Sequence, residues 1–100
     1  MRSYELVYVV KPELEEEALA ANSQRIEQFI TSDGGQVSET KPWGRRRLAY
    51  PVKGYQDGHY TLVEFRLDPQ KIRELERNLK LAEEVIRYLL ISAEDSHEAA

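Results

Sequence analysis

The chain has no cysteine in 100 residues, which removes disulfides, thiolate nucleophiles and thiolate zinc sites together. No segment approaches the roughly 20 apolar residues that span a bilayer. No apolar signal core stands at the amino terminus either, so a soluble, cytosolic protein is expected. Histidine is limited to His59 and His97, without a second histidine at ligand spacing, and no metal site is expected. Glycine occurs five times, never as a phosphate loop after a strand. Serines are few and no motif sets an acid or base beside one. Enzyme signals are absent, and no cofactor or small-molecule substrate is expected.

What is present is segregated charge. The whole chain carries −4, yet the run from Lys41 to Lys53 contains Lys41, Arg45, Arg46, Arg47 and Lys53, with Trp43 and Tyr50 interleaved and no carboxylate. The rest is therefore more negative than the total, with acids gathered at Glu13 and Glu15 to Glu17 and again at Glu94, Asp95 and Glu98. Those acidic runs read as solvated faces. A basic block with aromatics suits a phosphate backbone beside an exposed base, because guanidinium forks pair phosphate oxygens and rings stack on bases. Net negative charge opposes nonspecific coating of nucleic acid but allows a local site.

At 41% hydrophobic residues, the length fits one domain with one core. Ser3 to Val10 alternates, with Tyr4, Leu6, Tyr8 and Val10 on one face and Glu5, Val7 and Val9 on the other, as in a central strand. After Lys11-Pro12 the period changes. From Glu13, Leu19, Asn22, Ile26, Phe29 and Ile30 mark an amphipathic helix that ends at Gly34-Gly35. Gln36 to Val52 reads as a long extended segment, and Pro42 and Pro51 place it at a sheet edge, bent or bulged. A turn is expected over Gly54 to Gly58, with Asp57-Gly58 its strongest signal, and Tyr60 to Leu67 is the returning strand. Asp68-Pro69 opens a second helix with Ile72, Leu75, Leu79 and Ala82 as its buried stripe. Val85 to Ile91 is the last strand, with Ile86, Tyr88 and Leu90 opposite Arg87, Leu89 and Ile91.

This β-α-β-β-α-β order predicts an α+β, ferredoxin-like fold over 1–92, a four-stranded antiparallel sheet of order 2-3-1-4 with two helices on one face. A flexible acidic tail is expected over 93–100. The crossovers are expected to set the first strand parallel to the third and the second to the fourth. The uncovered face carries Val7, Val9, Tyr60, Leu62, Leu89 and Ile91, too apolar for solvent alone, and with Trp43 and Tyr50 forms an expected protein-partner surface. Trp43 and Tyr50 stand between packing and base stacking. Alternation sends the three consecutive arginines to opposite faces, so one face is expected to bind phosphate and leave Arg46 solvated. Arg2 and Arg87, on neighbouring strands, are expected to extend a binding surface along one end of the sheet. An RNA-recognition-motif reading fails for want of stackers, since its alternating aromatic positions hold Tyr60 and Leu62.

The segments from Met1 to Pro12 and from Trp43 to Val52, with Gly58-His59-Tyr60, Asp68-Pro69 and Glu76-Arg77-Asn78-Leu79, resemble the bacterial small-subunit ribosomal protein S6 family, from Met1 to about Ser92. The resemblance implies a non-catalytic domain that binds the central domain of small-subunit ribosomal RNA as a heterodimer with ribosomal protein S18. It assigns RNA contact to Arg2, Tyr4, Arg45, Arg46, Arg47 and Arg87, beside Lys41 and Lys53 of the basic run. Ser3 departs from it, standing where a second base is frequent. The isolated chain is then expected to be monomeric. A second reading, a ferredoxin-like ligand-binding or cofactor-free enzyme dimer, would close the open sheet face around a pocket containing His59.

Overall fold

Alternation along an extended backbone carries Tyr4, Leu6, Tyr8 and Val10 to one side of β1 (Arg2–Val10), and all four are buried. In the computed structural model, which describes residues 1–93, β1 is followed by α1 (Glu16–Thr31), β2 (Gln36–Val52) and β3 (Tyr55–Leu67). A 3-10 turn (Pro69–Lys71), α2 (Ile72–Leu81) and β4 (Val85–Ser92) complete it. The strands form one sheet in the order β2-β3-β1-β4. This is the ferredoxin-like arrangement expected. Glu94 to Ala100, including His97 and nearly all of the expected tail, lie outside the described residues.

Strand directions correct one expectation. All three neighbouring pairs, β1 with β3, β1 with β4 and β2 with β3, run antiparallel. A helical crossover returns the chain to the end where it began, so it makes parallel the two strands it joins, β1 with β2 and β3 with β4. It makes neither β1 parallel to β3 nor β2 parallel to β4.

Both helices cover the same face. Ile26 and Ile30 of α1 and Leu75 and Leu79 of α2 meet Leu6, Val63, Phe65 and Leu67 in one core, where Tyr4 stacks on Phe65 at 5.6 Å between centroids. Each fully buried aliphatic or aromatic side chain contributes roughly 1.5–3 kcal/mol relative to exposure. Helix α1 starts at Glu16, later than Glu13, because the chain turns first: the Leu14 amide donates to the Lys11 carbonyl at 3.4 Å. Its first-turn acids Glu16 and Glu17 complement the helix dipole. Asp68 Oδ1 accepts from the Gln70 amide at 3.0 Å and caps the 3-10 turn that leads into α2.

The hairpin turn lies elsewhere than Asp57-Gly58. Val52 pairs with Tyr55, leaving the two-residue turn Lys53-Gly54 with φ of 53° and 84°, the left-handed pair that suits the twist of a tight hairpin. β3 therefore begins at Tyr55, and Gly58 is a buried strand residue. Its glycine identity answers to crowding: a Cβ there would lie 2.5 Å from Val9 Cγ1 and 2.7 Å from the Val10 carbonyl oxygen. β2 is an edge strand with three register shifts, one of them between Pro42 and Gly44, where the ladder cannot use a proline donor.

A bulge between Val9 and Val10 in the pairing with β4 alters one face assignment. Val85 joins the helix-side core, whereas Ile86 crosses to the open face and packs with Val9 and Leu48. Strict alternation would have kept Ile86 with Tyr88 and Leu90. A bulge breaks that parity.

Candidate functional site

The open face is organised in rows by the register. Tyr60, Val9 and Arg87 form one row across β3, β1 and β4; Leu62, Val7 and Leu89 form the next; Glu64, Glu5 and Ile91 form the third. β2 extends the last two with Lys41 beside Leu62 and Glu39 beside Glu64. The face thus grades from cationic and aromatic, through apolar, to acidic. That gradient follows from strand pairing and is invisible in the linear charge pattern.

At the cationic end the hairpin curls over the sheet. Leu48, Val9 and Ile86 form a small buried cluster against which Val52, Tyr55 and Tyr60 pack. This anchors the distal part of β2 beside β4 and brings the Arg87 guanidinium over the Tyr50 ring at 5.4 Å. Nearby, Arg46 lies over Trp43 at 5.2 Å, and Trp43 stacks on Tyr60 at 6.3 Å and 14°. Trp43 keeps 39% of its surface exposed and Tyr50 58%. At these distances each guanidinium is attracted to the face of its ring and keeps N–H donors for an anion.

The three arginines divide as alternation requires, with a different outcome for the middle one. Arg45 and Arg47 pair with His59 and Asp57, on the parity opposite to Arg46, which pairs with Gly58. Arg46 is not merely solvated; it is the member held by an aromatic ring on the open face. Arg45 instead donates through Nε to Asp57 Oδ2 at 2.9 Å. Lys41 Nζ stands 3.6 Å from both Glu39 and Glu64. Those two cations already have local countercharge, although exposed pairs of this kind contribute only about 0–1 kcal/mol to stability.

Three expected contacts are relocated. Arg2 pairs with Leu67 while Arg87 pairs with Val9. They lie at opposite ends of β1 and on opposite faces, and so cannot share one binding surface. Tyr4 is largely buried, stacked on Phe65 in the core, and leaves only its edge in the groove beside Ser3 and Arg66. Val9 is 2% exposed beneath Leu48 and leaves the partner surface. Of the others on that surface, Val7, Tyr60 and Leu62 are half-buried, and Leu89 and Ile91 are exposed. Alternation sets the face of each of these positions, and the curl of the hairpin decides that Val9 alone among them is covered.

Leu48 and Lys80 join the site without a role expected from the sequence, and Ile86 joins it from the face opposite to the one expected. Leu48 interrupts a polar strand and is its one buried residue, which was the available signal. Lys80 lines a groove with Lys53 and Arg87; its position in the last turn of α2 gave no hint of that.

His59 does not open onto the uncovered face. It pairs with Val10, and its Nε2 lies 3.1 Å from the Pro12 carbonyl oxygen, so a dimer closing over the open face would not enclose it. Among the described residues no three metal-ligating side chains cluster, and no helix is long and apolar enough to cross a membrane. Burial raises the phenol of Tyr8 above its ordinary 10.0, against the opposing pull of the Ser23 and Thr61 hydroxyls.

Residues 3–92 match the family model described as ribosomal protein S6. The small ribosomal subunit protein bS6 of Moorella thermoacetica is 47% identical over 95 residues, covering 95% of this chain and 97% of that protein. Its counterpart in Natranaerobius thermophilus is 44% identical over 96 residues, covering 96% and 100%. The crystal structure of 30S ribosomal protein S6 from Thermotoga maritima superposes with a TM-score of 0.89 at 28% identity, covering 98% of this chain and 92% of that one.

Proposed function

The chain belongs to the ribosomal protein S6 family, and from that premise we propose that it binds the central domain of small-subunit ribosomal RNA as a heterodimer with ribosomal protein S18. As a protein of the small ribosomal subunit it serves translation, in the cytoplasm of bacteria such as those that supply its relatives. The observation that carries the finer reading is the graded open face. Arg46 and Arg87, each over an aromatic ring, meet RNA together with Lys53, and Arg47, on the other face of the edge strand β2, reaches the same backbone around that edge. The row of Leu62, Val7 and Leu89 with Ile91 meets the protein partner.

The acidic row supports a partner of basic charge. Glu5, Glu39 and Glu64 border the apolar stripe, and the chain is −4 overall, so RNA alone would be repelled at long range. A basic partner offsets that charge and completes the RNA surface. Phosphate contacts then position the domain, and RNA shape supplies specificity. The role is structural rather than catalytic, and the isolated chain is a monomer.

Titration of labelled central-domain RNA with this protein, with and without S18, at two salt concentrations, tests the reading. Weak binding alone and tight, salt-sensitive binding with S18, reduced by Arg46→Ala/Arg47→Ala, is expected. Equal affinity with and without S18 overturns it. So does an unchanged affinity in the double variant.

A further inference from the structure

We propose that Lys80 joins Lys53 and Arg87 in a cradle for one RNA phosphodiester, which extends the RNA contact beyond the Arg46 stack to the end of α2; this rests on and deepens the RNA-binding reading above. Three elements build it: the hairpin turn supplies Lys53, the last turn of α2 supplies Lys80, and β4 supplies Arg87. Their side chains line one open groove whose remaining lining, Leu79, Val85, Ile86 and Tyr88, contains no carboxylate. All three cations are exposed.

The contrast with the other basic residues of the hairpin is what singles the groove out. Lys41 and Arg45 have carboxylates within 3.6 Å and 2.9 Å. Among the described residues, no ion pair is formed by Lys53, Lys80 or Arg87. Positive charge converging from three elements attracts an anion; the Arg87 guanidinium lies over the Tyr50 ring at 5.4 Å, and the carboxylate beside the lining is Glu76, which accepts from the Tyr88 hydroxyl at 3.3 Å. Lys53 also occupies the left-handed region at φ 53°. A lysine is less relaxed there than glycine or asparagine, and it places a cation at the tip of the hairpin.

Lys80 has a second role to be separated from this one, since a cation in the last turn of a helix offsets the dipole. That role is local to α2 and does not require Lys53 and Arg87 beside it. An acidic protein segment is the competing occupant of the same charge. A compact open groove ringed by point charges suits a single tetrahedral anion better than a length of peptide, which would also seek backbone partners.

The test uses the full chain with S18 and central-domain RNA. Lys80→Gln, Lys53→Gln/Lys80→Gln and the charge-preserving Lys80→Arg are compared with the parent after thermal melts show that each is folded. Near 0.1 M salt each lost contact should weaken RNA binding roughly fivefold and lower the log–log salt slope by about 0.7–0.9, and Lys80→Arg should retain both. Unchanged affinity and slope in the glutamine variants, while Arg46→Ala/Arg47→Ala weakens binding, overturns the cradle and leaves the RNA reading intact. Unchanged binding in every variant overturns the RNA reading as well. Loss of S18 association with RNA affinity of the assembled heterodimer unaltered assigns the groove to an acidic protein segment and also overturns the cradle.

Discussion

On the helix-covered side of the sheet, Leu6, Val63, Phe65 and Leu67 are at most 1% exposed; on the other side, Leu89 and Ile91 of β4 remain 56% and 40% exposed. Both sets are aliphatic or aromatic residues at alternating positions of strands in one sheet. What differs is the cover. Ile26, Ile30, Leu75 and Leu79 close the first face within the chain, while on the second Leu48, with Val52, Tyr55 and Tyr60 beside it, covers just Val9 and Ile86 among the described residues. The hydrophobic pattern alone thus states which residues share a face. It does not state whether that face is finished by this chain or left for another.

The faces should separate most widely under truncation. Leu6→Ala is expected to cost about 2–5 kcal/mol of folding stability, since the cavity sits where both helices meet the sheet. Leu89→Ala should stay within about 0.5 kcal/mol in the isolated chain. Urea unfolding of both variants checks this. A loss at Leu89 matching that at Leu6 would mean that the open face is already covered in the free protein, and the contrast would fail.

The second substitution moves the contrast from folding to association. Leu89→Asp places a charge in the middle of the Leu62, Val7 and Leu89 row, and S18 affinity should fall by about 2 kcal/mol or more, roughly 30-fold. Calorimetry with purified S18 reads it, with the melting temperature of the variant as control. Retained affinity would remove the apolar row from the partner interface.

At the seam between the faces a smaller cost is expected. Gly58→Ala would drive a methyl against Val9 Cγ1 and the Val10 carbonyl, and overpacking of this sort costs about 1–3 kcal/mol. Equilibrium unfolding tests it, and a neutral result would show that the curled hairpin end shifts freely.

Gly58 also shows where the sequence stopped being readable. Element order, sheet order and the core stripe all followed from period and from local caps: the alternation of β1, the three- and four-residue spacing of Leu75 and Leu79, the Asp68 cap. Asp57-Gly58 looked like the turn because local chemistry favours it there, yet tertiary crowding, not φ, fixes that glycine. Ile86 and Val9 changed status for the same kind of reason. A bulge and a curled hairpin are properties of pairing, and no short window of sequence contains both partners. The candidate site suffered more than the fold, because Arg2 and Arg87 were joined by strand adjacency without a register, and the register sets them at opposite ends.

The finest distinction concerns protons. Tyr8 and Tyr88 are register partners across β1 and β4, and both phenols are raised above the ordinary 10.0: Tyr8 by burial, Tyr88 by burial with the neighbouring Glu76 charge and hydrogen bond. The unfolded chain therefore ionises these groups first. Their contribution to stability is whole below about pH 10 and is lost as pH rises from there through the folded-state values. Each phenol can add a slope of at most about 1.4 kcal/mol per pH unit. Unfolding free energies measured between pH 9 and pH 12 should fall less steeply for Tyr8→Phe than for the parent, and less steeply still for Tyr8→Phe/Tyr88→Phe. Identical slopes in all three would mean that the covered face admits water at Tyr8, which would weaken the division between a closed face and an open one at its most buried polar group on β1.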